Sequence, residues 1–194
     1  MNSSDLDSLL KVIRQCDECE DLPMGPRPIL AAKEEAKILI LGQAPGRAVH
    51  ESGKPWDDPS GERLREWMGI DRETFYDPTI VAIVPLGFCY PGKGKTGDLP
   101  PRKECAKLWH HQLIPMLTNI KLTLLAGQYA QNYRLGKQKK KTLTQTVKDW
   151  REYTPKNLPL PHPSPLNNRW LAKNPWFDSD VLPYLKRRVR RLVA

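Results

Sequence analysis

The chain has 194 residues, 39% hydrophobic and 27% charged, enough for the core of one compact domain over residues 1–194, and this composition excludes disorder throughout. No apolar run approaches the roughly 20 residues that span a bilayer, and the opening MNSSDLDSLLKVIRQ lacks the basic leader of a signal peptide, so a cytoplasmic monomer without a membrane segment is the expectation. The net charge of +9 is uneven: residues 1–100 hold 12 Lys and Arg against 17 Asp and Glu, and residues 101–194 hold 19 against 5, which points to a polyanionic partner, although a solvated basic surface carries the same charge.

In chain order, Leu6, Leu9, Leu10 and Ile13 mark one face of a first helix with Ser4 as its N-cap, ending near Cys16. The stretch DLPMGPRPIL, with its three prolines, reads as an extended loop. Residues 37–42, KILILG, form a short continuous apolar run closed by glycine, the pattern of a strand buried on both faces of a parallel sheet. Similar runs stand at 80–84 and 122–126, with a weaker one at 157–160. Between them, Ser60 can cap a helix burying Leu64, Trp67 and Met68, and Pro101 suits the first turn of another through Cys105, Leu108, Trp109, Leu113 and Leu117. A third helix covers 128–135 and stops at Gly136. The last, from about Asp180, carries Val181, Leu185, Val189 and Leu192 on one face and Lys186, Arg187, Arg188, Arg190 and Arg191 elsewhere. The stretches 91–101 and 137–141 read as mobile, basic loops. Strands alternating with helices make an α/β layered fold with a mainly parallel sheet. Ligands of such sheets bind outside the carboxyl ends of the strands, which singles out the loops after Gly42, Val84 and Leu160.

Gly42-Gln-Ala-Pro-Gly46 permits a tight turn and close approach of backbone N–H groups to a ligand. It matches neither the phosphate-binding nor the dinucleotide glycine pattern, and alone it also reads as a plain strand-to-helix connection. In Gly53-Lys-Pro-Trp-Asp-Asp-Pro-Ser-Gly61, Trp56 sets a π-face beside Asp57 and Asp58. An aromatic can stack on an extruded base and a carboxylate can activate water; a core tryptophan and helix-capping aspartates account for the same residues. In Leu160-Pro-His-Pro-Ser-Pro-Leu166, two prolines fix His162, which can donate to a developing anion. Leu166, followed by Asn167, Asn168 and Arg169, has the form of an apolar wedge beside phosphate-binding groups. His50, His110 and His111 read as structural. Cys16 and Cys19 form a C-x-x-C pair, with Cys89 and Cys105 downstream. Such pairs supply corners of zinc or iron–sulfur sites, and buried free thiols are the ordinary alternative.

Taken together, the three loops and four cysteines resemble the iron–sulfur branch of the uracil-DNA glycosylase superfamily. Gly42-Gln-Ala-Pro-Gly46 is similar to its first motif, His162-Pro-Ser-Pro-Leu166 to its second, and Cys16, Cys19, Cys89 and Cys105 to its four cysteines. The resemblance implies a three-layer αβα fold on a four-stranded sheet. The implied activity is hydrolysis of the N-glycosidic bond of a flipped, damaged base in DNA, above all uracil, in base excision repair. It implies a base site at Gly42, Gln43, Ala44, Pro45 and Trp56, catalysis by Asp58 and His162, and DNA contacts from Ser164, Leu166, Asn168 and Arg169. The cysteines would hold a [4Fe–4S] cluster, with zinc or no metal as alternatives. Two departures stand out: Ala44 replaces an acid or amide common in the first motif, and the run 82–88 has no base-reading asparagine. They leave open a non-catalytic or other-base-specific member. A nucleoside hydrolase is a further alternative, but it would need neither the basic half nor the wedge. Arg169, the 137–141 loop and the basic run at 187–191 are the expected phosphate contacts.

Overall fold

The computed structural model describes residues 3–194, with side chains in the first helix described from residue 5 onward. Helix α1 (Ser3–Arg14) buries Leu6, Leu10 and Ile13, as their spacing requires. It starts ahead of Ser4, the expected cap, whose side chain lies outside the described residues. The proline-rich stretch is extended and reaches the sheet, where Ala31 bridges Ile83 antiparallel. There follow β1 (Ile38–Leu41), α2 (Arg47–Ser52), α3 (Pro59–Met68), α4 (Arg72–Tyr76) and β2 (Val81–Ile83). A two-residue hairpin, β3 (Lys93–Gly94) against β4 (Gly97–Asp98), stands inside the expected mobile loop. Helix α5 (Lys103–Cys105) runs through a π-turn (Ala106–His110) into α6 (His111–Met116). The order ends with β5 (Leu122–Ala126), α7 (Gln128–Leu135), α8 (Leu143–Lys148), β6 (Asn157–Leu160), α9 (Asn168–Lys173) and α10 (Leu182–Val193).

The main sheet has the order β2-β1-β5-β6 and every pairing in it is parallel. Its strands are apolar at every position but Thr123 and Asn157, because both faces are covered. Ile38, Ile40, Leu122, Leu124, Leu158 and Leu160 pack against Leu64 and Met68 of α3 and Leu185 and Val189 of α10. Leu39, Leu41, Ala82 and Leu125 pack on the opposite side against α1, α6 and α7. This is the three-layer αβα arrangement. It sets the ends of β1, β2, β5 and β6, and the loops they release, along one edge.

Several local expectations are corrected. Asp58, not Ser60, caps α3, since Asp followed by Pro at the first helical position supplies both an acceptor and a preset φ. The helix expected from Pro101 begins at Lys103, and its π-turn adds a residue to one turn, which rotates Leu108 out to solvent. Helices α2, α4, α8 and α9, each of five or six residues, are additions to the sequence reading. In the 137–141 loop Lys140 is engaged by Glu152 at 2.6 Å and Asp149 at 3.8 Å, so this cation is already compensated. The basic run of α10 lies away from the three loops. Arg188 Nη2 donates to the carbonyl of Lys121, just ahead of β5, at 3.3 Å. Lys186 Cγ would lie 3.2 Å from a Cβ on Gly69, the residue that ends α3. Both anchors are at the amino-terminal edge of the sheet.

Candidate active site

The first motif is pinned where β1 ends: the carbonyls of Gly42 and Gln43 accept the N–H groups of Leu86 and Gly87, each at 3.0 Å. A Cβ on Gly42 would sit 2.9 Å from Cζ2 of Trp56, so a missing side chain is what lets the indole lie on the motif. Gln43 donates its amide Nε2 to the carbonyl of Leu99 at 3.2 Å.

Trp56 has φ 57°, a left-handed conformation that costs a bulky residue on the order of 1–3 kcal/mol. Its carbonyl is the point of restraint: it accepts from Arg65 Nη1 at 3.3 Å and from the Tyr76 hydroxyl at 3.2 Å. Arg65 is buried, and Glu62 holds its guanidinium at 2.7 Å. A Cβ on Gly61 would fall 1.8 Å from the same carbonyl oxygen. Gly61→Ala is therefore expected to force Trp56 off the first motif and to destabilise the fold by about 1–3 kcal/mol. Thermal unfolding reads this directly; an unchanged midpoint would show that the Trp56 backbone is free to move aside.

The adjacent aspartates separate. Asp57 faces Arg72 at 2.9 Å, and the guanidinium holds its carboxyl below the usual carboxylate range. Asp58 Oδ1 accepts the Gly61 N–H at 2.8 Å as the cap of α3, and burial pushes its pKa above the ordinary 3.8. The cap and the pocket acid, alternatives in the sequence, are the same carboxylate.

His162 follows β6. Its Nδ1 accepts the Ser164 N–H at 3.2 Å, which places the ring proton on Nε2, and its carbonyl accepts Asn167 Nδ2 at 2.7 Å. Loss of solvent around the ring lowers its pKa to about 4, so the imidazole is neutral at pH 7. It stacks on Trp56 with centroids 5.5 Å apart and planes at 30°, so the two rings form one wall with no room for a base between them. Gly127, at φ 88°, allows this approach: a Cβ there would be 3.3 Å from that of His162.

A cavity of about 340 Å³ is lined by Gly42, Gln43, Ala44, Pro45, Trp56, Asp58, His162, Ser164 and Leu166. The expected base-site and catalytic residues are thus brought together. Its apolar end is formed by Ile29, Val49, Ile83 and Pro85, and the Pro85 carbonyl accepts from Nε2 of buried His110 at 3.0 Å. Leu166 is 80% exposed at the rim, on a 3₁₀ turn (Pro165–Asn167). Asn168 and Arg169 do not line the cavity; they are exposed beside Leu166 at the start of α9.

Cys19 and Cys89 share one small buried cluster, and Cys105 belongs to the core on the α1, α6 and α7 side of the sheet. Cys19, Cys89 and Cys105 are buried and all four are free thiols. Cys19 packs with Cys89 around Leu22. Cys89 Sγ accepts the Arg27 N–H and Cys105 Sγ the Phe88 N–H, both at 3.3 Å. Burial pushes the Cys105 pKa up to about 12, and the charges of Cys89, Cys19 and Cys16 add to the rise. Among the described residues no three of His, Cys, Asp or Glu are gathered closely enough to hold a single metal ion.

Positioning residues escaped the sequence reading. Arg65 and Tyr76 hold Trp56, and Arg63 Nη1 ties α3 to the second motif through the Ser164 carbonyl at 3.1 Å. Arg27 caps the end of α2 at the carbonyls of His50 and Glu51, directly before the Trp56 loop. In sequence these look like ordinary surface charges, with no local signal of a long-range bond. A family model for the uracil DNA glycosylase superfamily matches residues 30–186, and the chain belongs to that superfamily. No helix among the described residues is long and apolar enough to cross a membrane.

Proposed function

We propose that the chain, acting as a single domain over residues 1–194, is a monofunctional DNA glycosylase that hydrolyses the N-glycosidic bond of a flipped, damaged base, with uracil as the first substrate to test. Membership of the superfamily supports a glycosylase-type function. The observation that carries the finer reading is that one cavity holds a partly buried carboxylate, Asp58, and a neutral imidazole, His162.

Base departure leaves an oxocarbenium-like sugar and an anionic base, so a carboxylate is needed on the sugar side and a donor on the base side. Asp58 takes a proton from water, the resulting hydroxide adds to the sugar carbon, and the base leaves with the bonding electron pair. His162 donates its Nε2–H to the departing anion. Neutrality suits this role, because a donor that keeps its proton stabilises charge as it develops. Trp56, packed on His162, walls the base site, backbone groups around Gln43 meet a base carbonyl, and Leu166 fills the gap in the stack. Ser164, Asn168 and Arg169 stand where the flanking phosphates would pass.

Cys16, Cys19, Cys89 and Cys105 are the residues that would hold a [4Fe–4S] cluster, with zinc or no metal as the alternatives. The two backbone N–H donors to sulfur suit cluster thiolates. When bound, the cluster would serve as a structural cross-link between the N-terminal segment and the loop after β2.

One preparation tests both parts. Protein purified without oxygen is expected to be brown and to leave alkali-labile abasic sites in oligonucleotides containing uracil. The absence of an amide at Pro85 makes hypoxanthine and xanthine necessary companions in the panel. Cleavage of one of these alone would move the assignment to another base. Binding to all three without an abasic site would establish the non-catalytic alternative, and colourless protein with one zinc would overturn the cluster.

A further inference from the structure

The amino-terminal edge of the sheet, opposite the cavity, carries a cluster of exposed cations. Lys37, Lys121 and Lys156 are exposed and stand immediately ahead of β1, β5 and β6. Their backbones are joined side by side: Lys121 N donates to Lys37 O at 2.8 Å, and Thr123 N to Lys156 O at 2.7 Å. With neighbouring strands about 4.8 Å apart, the three lysines form a row roughly 10 Å long. Helix α10 crosses the same edge, its Arg188 guanidinium on the Lys121 carbonyl and Lys186 against Gly69. Arg187 and Arg190 are exposed beside them. Among the described residues, none of these cations has a carboxylate partner. Ion pairs form elsewhere at Arg72, Arg102, Lys140 and Arg151; what sets this edge apart is that neighbouring strands and α10 bring its cations side by side.

We infer that this edge binds the phosphate backbone of a second segment of nucleic acid, distinct from the strand that enters the cavity. A row of uncompensated cations with no apolar centre is matched to a polyanion and not to a protein hot spot. One straight duplex cannot meet both edges. They are separated by the strands, at about 3.3 Å per residue, and by the loops at either end. The protein would hold two segments at once, one at the cavity edge and one here. The inference rests on the placement of charge and on the proposed binding of DNA at the cavity, and not on cleavage there.

The test uses the full chain, undamaged duplex DNA and the triple variant Arg187→Glu/Arg190→Glu/Arg191→Glu, whose side chains are exposed and outside the core. The slope of log affinity against log salt is expected to flatten by about 0.9 for each phosphate that the variant no longer neutralises. Energy transfer between two differently labelled duplexes should be present with the natural chain and absent with the variant, which still binds one duplex. The glutamine version should fall between the two, and thermal unfolding of both should match the natural chain. Unchanged slope and transfer would overturn the proposal and leave a solvated surface. Competition at this edge by polyglutamate, with no duplex bound there, would overturn it in favour of an acidic protein. Loss of base release at saturating substrate would show that the edge belongs to the substrate's own path. None of the DNA-binding measurements requires the chain to cleave anything.

Discussion

His162→Ala is expected to slow single-turnover base release by on the order of a hundredfold or more, with little change in affinity for damaged DNA. The imidazole is held on several sides: Ser164 N–H on Nδ1, Asn167 on its carbonyl, Trp56 on its face and Gly127 behind it. This fixes Nε2 as the remaining donor. A pKa of about 4 keeps the ring neutral, so its contribution does not vanish as the pH rises through 6.5, the ordinary histidine value. Titration of His162 should therefore put no step in the rate between pH 6 and 8. Alanine also removes the acceptor for Ser164 N–H, so the variant's melting point must be compared alongside. A His162→Gln variant that restores the melting point but not the rate would separate positioning of the loop from donation. Full activity in His162→Ala would remove the residue from the reaction.

The central sheet was legible because a strand covered on both faces is a nearly continuous apolar run: 122–126 and 157–160 appear in the structure at the residues expected, and the runs at β1 and β2 are trimmed by one residue at each end. The short helices were not, since five or six residues complete less than two turns and show no period. Their caps were there to be found: Asp71 accepts the Thr74 N–H and Thr142 the Gln145 N–H. The loops of the site were legible because glycine and proline restrict the backbone visibly around Gln43 and His162. The positive φ of Trp56 was not, since it is imposed by Arg65, Tyr76 and Gly61, which meet it only after folding. Charge shows the same limit. The excess in residues 101–194 was countable, but only the fold sends Arg169 to the Leu166 rim and Lys121, Lys156 and α10 to the opposite edge.

Asp58→Asn offers a clean subtraction, because asparagine caps a helix about as well as aspartate and should keep the Gly61 N–H satisfied. The fold and DNA affinity should then stay near those of the natural chain, while the rate falls by about 10²–10⁴-fold through loss of the general base. The pH profile supplies a second readout. Burial raises the Asp58 pKa above 3.8, and water activation needs the ionised form, so the natural rate should fall on acidification from a point above the ordinary carboxylate value. In the asparagine variant that acid limb should disappear, leaving only the protonation of His162 near pH 4. Asp57→Asn is the matched control. It breaks a surface ion pair with Arg72, of a kind that contributes little to stability, and should leave the rate of base release unchanged. An active Asp58→Asn beside an inactive Asp57→Asn would reverse the assignment of the two carboxylates, and full activity in both would mean that water is activated by neither.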